Sequence, residues 1–171
     1  GPWVLSTLAM RQTYVDVLGF PELLDHPRFR SMFSLELYRD LRNGWRNPQQ
    51  IPWGIGAAQR VGTVKKKLKR FIEAGGREQL VAATDAGAPL NFHSPIPKQL
   101  RYLVEAGLTP MEAIQSATLR PAQMQGVLDR LGTVSIGKMA DLIVVDGDPL
   151  QEIEVLQYGV VHVIRGGEVF K

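Results

Sequence analysis

Cysteine is absent from this 171-residue chain, which excludes disulfides and thiolate metal sites. Histidine is scarce. His26, His93 and His162 are the full complement, and no two stand at the i,i+2 or i,i+4 spacing of a paired metal ligand. No apolar run approaches the roughly 18 residues that span a bilayer. The opening GPWVLSTLAM has neither the basic flank nor the small-residue cleavage pattern of a secretory leader. These absences leave the compartment open. Acidic residues are also scarce over one stretch: between Arg28 and Arg77 twelve Lys/Arg face three Asp/Glu, although the net charge of the whole chain is only +3. Such asymmetry raises the question of a nucleic-acid or membrane-surface partner.

What is present is ordinary for a soluble globular chain: 44% hydrophobic and 22% charged residues, at a length that can bury a sizeable core. Trp3 to Ala9 reads as a short buried strand. Residues 20 to 55, punctuated by Pro21, Pro27, Pro48 and Pro52, read as a long irregular connection with room for a short helix near Leu35 to Arg42. A helix over 57–74 follows, with Val61, Val64, Leu68, Phe71 and Ile72 on one face and Gly75-Gly76 as its stop. The lysines of KKKLKR (65–70) fall mainly off that face, and no aromatics interleave for base stacking. The run is therefore expected to be a solvated helix face, and no nucleic-acid or membrane partner is expected.

Leu80 to Thr84 reads as a second buried strand that runs straight into Asp85 and Gly87. Beyond a loop of about a dozen residues come a helix over 98–106, a capped helix opened by Thr109, Pro110 and Glu112, and a further turn begun by Pro121. After Asp129 the texture turns β-rich, and YGVVHVIRGGEVFK reads as a hairpin with a Gly166-Gly167 turn.

Three blocks in this order, TDAG (84–87), LVEAGLTPMEAIQSATLRPA (103–122) and LGTVSIGKMADLIVVDGDPL (131–150), resemble the C-terminal part of the metal-dependent amidohydrolase superfamily. The nearest branch holds imidazolonepropionase-like enzymes and metal-dependent dipeptidases. The resemblance covers residues 80 to 171 and touches 1 to 79 loosely. It implies an α/β fold: the last two strands and helices of a (β/α)8 barrel over 1–127, and part of a small β-sandwich over 128–171. The sandwich of that family is assembled from both ends of the chain. Trp3–Ala9 would be barrel strand seven and Leu80–Thr84 strand eight, with Asp85 at the C-terminal mouth that carries the chemistry of such barrels.

By the same resemblance, Asp85 matches the aspartate that binds or approaches a metal-bound water and shuttles its proton. It is the catalytic candidate and the only metal-ligand candidate. His93, in the loop beyond it, is the candidate substrate contact. The implied cofactor is a divalent metal, zinc by expectation, and the implied substrate is a small amide or dipeptide cleaved at a C–N bond. The family's histidine pair at strand one and its ligands at strands four to six have no counterpart here, while a catalytic zinc takes three protein ligands. The expectation is therefore a portion of such a hydrolase, inactive and metal-free as an isolated chain. The competing expectation is a non-catalytic remnant that forms homo-oligomers, or docks on a missing barrel segment, through open strand edges. His26 reads as a loop residue, His162 as a strand residue, and Asp146 and Asp148 as turn residues too few for calcium.

Overall fold

The computed structural model describes residues 1–31, 33–47, 52–86 and 96–170. Strands β1 (Val4–Ser6) and β2 (Leu80–Ala82) lie parallel, with Val4 opposite Leu80, Leu5 opposite Val81 and Ser6 opposite Ala82. Every residue of β2 is buried, whereas Leu5 of β1 is 55% exposed. Parallel strands are ordinarily covered on both faces.

The strand expected over Trp3–Ala9 is shorter, because Leu8 and Ala9 open helix α1 (Leu8–Gly19). Leu, Ala, Met, Arg and Gln in succession are strong helix formers. The β2 ladder is also shorter than expected: beyond Ala82 only the Ala83 N–H still reaches β1, donating to the Ser6 carbonyl at 3.0 Å.

Residues 20–55 are helical where described, not irregular. A 3₁₀ turn (Pro21–Asp25), α2 (Pro27–Arg30), α3 (Leu35–Arg46) and α4 (Pro52–Gln59) follow one another. The prolines that read as breakers stand at the first position of three of these elements, where the missing N–H costs nothing. Ser34 caps α3 by accepting from the Leu37 N–H at 3.3 Å. Asp25 then ties the 3₁₀ turn to α3, accepting from the Tyr38 hydroxyl at 3.0 Å, Arg42 Nε at 2.6 Å and an Arg46 guanidinium nitrogen at 2.9 Å. Met10, Tyr14 and Val17 of α1 meet Leu24 and Trp45 of this segment in a small core of their own.

A turn at Arg60 separates α4 from α5 (Val61–Glu73), so the single helix expected over 57–74 is two. Leu68 and Ile72 are buried, and Lys66, Lys67 and Lys69 are exposed, as the pattern predicted. Gly75 ends α5 at φ +93°, a conformation that costs glycine nothing. A 3₁₀ turn (Gly76–Gln79) leads into β2. Helices α6 (Ile96–Glu105), α7 (Pro110–Ala117) and α8 (Leu119–Met124) complete the main core, in which Leu8, Ile72, Leu80, Leu100, Leu103 and Ala113 meet.

The rest of the described chain is a three-stranded antiparallel sheet in the order β3 (Leu142–Val145), β4 (Val160–Arg165), β5 (Glu168–Val169), with α9 (Val155–Tyr158) between β3 and β4. Gly166 and Gly167, both at positive φ, make the expected two-residue turn. Residues 131–141 form turns and bends, not strand, because Gly132 and Gly137 adopt positive φ within them.

Candidate functional site

The chain direction puts the C-terminal ends of β1 and β2 side by side, so Ser6 and the segment from Ala83 to Ala86 share one rim. Asp85 stands on that rim and is exposed. Its backbone is left-handed, at φ +57°, and it is the only described non-glycine residue with positive φ. Aspartate tolerates this conformation better than most residues, yet it carries a strain that surrounding contacts must hold. One such contact is local: the Ala86 N–H donates to Thr84 Oγ1 at 3.2 Å and closes the turn across Asp85.

Helix α1 leaves the end of β1 and carries Tyr14. Tyr14 is fully buried, stacked on Trp45 at 5.2 Å and edge-on to Trp53 at 5.3 Å. Its hydroxyl finds no hydrogen-bond partner among the described residues. Burial pushes the phenol's pKa upward, the negative charge of Asp85 pushes it further, and Arg11 opposes both.

The rim is also braced from below. Gln99, in the first turn of α6, is 0% exposed. Its Oε1 accepts from the Ala9 N–H at 2.8 Å and its Nε2 donates to Ser6 Oγ at 2.9 Å. Lys98 beside it pairs with Asp16 of α1 at 2.8 Å. Neither Tyr14 nor Gln99 stood out in the sequence: an aromatic and an amide on helices usually signal core and surface, and only the three-dimensional pairing gives them meaning.

His93 and Gly87 lie outside the described residues. His26 sits in the connection between the 3₁₀ turn and α2, and His162 on β4, both exposed and both far in sequence from the rim. Among the described residues no three His, Asp or Glu side chains gather closely enough to hold a metal ion, so Asp85 alone does not make a metal site. No helix among them is long and apolar enough to cross a membrane.

Parallel strands with helices packed behind them define an α/β protein. Residues 57–170 match the amidohydrolase family, and the chain belongs to that family. It is 32% identical over 117 residues to an imidazolonepropionase of Geobacillus kaustophilus, an alignment covering 67% of this chain and 27% of that protein. It is 37% identical over 110 residues to ochratoxinase of Aspergillus niger, covering 62% of this chain and 22% of the relative. In three dimensions it superposes on a Xaa-Pro dipeptidase crystallised with methionine in its active site, at a TM-score of 0.64 and 27% identity, over 98% of this chain and 34% of the dipeptidase. The chain thus spans about a fifth to a quarter of the curated relatives it matches and about a third of the solved one.

Proposed function

We propose that the chain is the C-terminal portion of a metal-dependent hydrolase that cleaves an amide, dipeptide or cyclic-amide C–N bond. Residues 1–127 contribute the last two strands of a (β/α)8 barrel, and 128–171 contribute part of a β-sandwich. The observation that carries this reading is Asp85: an exposed carboxylate, held in a left-handed turn, at the C-terminal end of a buried parallel strand. A carboxylate so placed can take a proton from an attacking water and return it to a leaving nitrogen. His93 is assigned to contact the substrate. A divalent metal, zinc by its preference for such sites, belongs to the complete enzyme, with its other ligands drawn from polypeptide outside these residues.

A chimaera tests the reading. Residues 1–170 replace the corresponding third of the Xaa-Pro dipeptidase, and hydrolysis of a dipeptide is followed in the presence of divalent metal. Asp85→Asn in that chimaera is expected to lose about 10²–10⁴-fold in rate. Equal activity with and without the substitution would sink the assignment.

A second reading has its own observation. Large apolar side chains stand exposed on both sheets, among them Leu5, Ile143, Val144 and Val161. As an isolated chain the protein would act as a non-catalytic remnant that pairs with another copy, or with the missing barrel segment, through these surfaces. A single monomeric species at every concentration would count against it.

A further inference from the structure

Ser6 is used twice at the rim. Its carbonyl accepts the Ala83 N–H at 3.0 Å, and its hydroxyl accepts the Gln99 side-chain N–H at 2.9 Å. The chain that leaves β2, carries Asp85 and returns on α6 therefore has both its feet on one residue of β1. Gln99 spends its other polar atom on the Ala9 N–H, at 2.8 Å. That donor belongs to the first turn of α1, where an α-helix leaves its N–H groups unpartnered. The natural capping position, Thr7, makes no side-chain capping bond. Gln99 caps α1 from 90 residues away.

A leucine would fill the same buried volume without the cost of desolvating an amide. What glutamine adds is geometry: one planar group fixes the distance from α6 to β1 and to α1 together. The adjacent Lys98–Asp16 pair, at 2.8 Å, holds the same helix turn against α1 from the outer side. Asp85, meanwhile, occupies a backbone conformation that persists only where its surroundings enforce it.

We infer that Ser6 and Gln99 form a clamp that positions the turn bearing Asp85, with Gln99 as a positioning residue and not a catalytic one. The functional meaning rests on the reading of Asp85 given above, but the clamp is tested independently of any activity. Amide exchange on the 171-residue chain, followed by NMR, reads it directly. In Gln99→Leu the amides of Ala9, Ala83 and Ala86 are expected to exchange about tenfold faster, measured against Leu103 in the main core. Ser6→Ala, which removes only one bond, is expected to give roughly fivefold at Ala83 and Ala86. Gln99→Glu retains an acceptor for the Ala9 N–H and can accept from the Ser6 hydroxyl, so it should return most of the protection. Uniform acceleration at Leu103 and the rim alike would reduce Gln99 to a general stabiliser and overturn the clamp. So would no acceleration at all. If Gln99→Leu does not fold, the same comparison in Ser6→Ala decides. Refutation of the clamp would leave the assignment tested by Asp85→Asn in the chimaera standing, and refutation of that assignment would leave the exchange result standing.

Discussion

Tyr14 buries a phenol inside an aromatic stack, and among the described residues its hydroxyl has nothing to bond to. Burying a polar group without a partner is unfavourable, so Tyr14→Phe should leave unfolding free energy unchanged or raise it by up to about 1 kcal/mol. Tyr14→Ala, which empties the stack, should cost about 3–5 kcal/mol. Urea titrations of the three proteins separate these outcomes, and a marked loss in Tyr14→Phe would mean that the hydroxyl has a partner after all. The pH dependence has a definite sign. The phenol's pKa is raised in the fold above 10.0, by burial first and by Asp85 second. The unfolded chain then releases its proton before the folded one, and stability falls as pH rises past about 10. Tyr14→Phe should lack that part of the alkaline decline. Glu112 runs the other way. Burial alone would raise its pKa, but hydrogen bonds from Thr109 and the Arg77 guanidinium, 2.8 Å away, hold it below 4.5. Its contribution is present above about pH 4.5 and lost as pH falls through the depressed value. Glu112→Gln should therefore be destabilised at pH 7, and its difference from the parent should shrink as pH falls below 4.5, by the same urea titrations.

Glu112 also belongs to the element whose ends were most legible. Thr109 accepts from the Glu112 N–H at 3.2 Å, and Glu112 accepts from the Thr109 N–H at 2.7 Å, which closes the capping box read from four consecutive residues. Thr109→Ala should cost about 1 kcal/mol in thermal or urea unfolding, and a neutral result would show the cap to be redundant with the Arg77 pair. The Gly166-Gly167 hairpin was legible for the same reason: its chemistry is local. Legibility failed where partners are distant or where one residue type serves two ends. The prolines at 21, 27 and 52 break a chain in sequence but start helices in space. Hydrophobicity predicts a strand over Trp3–Ala9, longer than Val4–Ser6, because it carries no sign that the ladder runs out at Ser6. The Ser6–Gln99 bond joins positions 93 residues apart, and nothing in either neighbourhood announces it. That Asp85 follows a buried strand was legible from the apolar run before it, while its left-handed backbone was not.

At the scale of the whole molecule, the two sheets share one property. β1 and β2 bury one strand well and leave Leu5 outside, and the antiparallel sheet exposes apolar side chains on both of its faces. Ile143 lies opposite Val163 on one face, with Val161 beside them, and Val144 lies opposite His162 on the other. A three-stranded sheet normally solvates one face and covers the other. Here neither face is closed, although the helical core beside it is well packed. Five large apolar side chains stand exposed on these strands, Leu5, Ile143, Val144, Val161 and Val169, and such a cluster in water favours association over isolation where single exposed leucines would not. The isolated chain should therefore sediment with an average mass that rises with concentration. Ile143→Lys should shift that rise to higher concentration, because it puts a charge on the uncovered face without touching the main core. The helical content of the variant, read by circular dichroism, should match the parent. A chain that stays monomeric throughout, with or without the lysine, would mean that the sheet is stable uncovered, and the association reading would fall while the assignment of Asp85 stood.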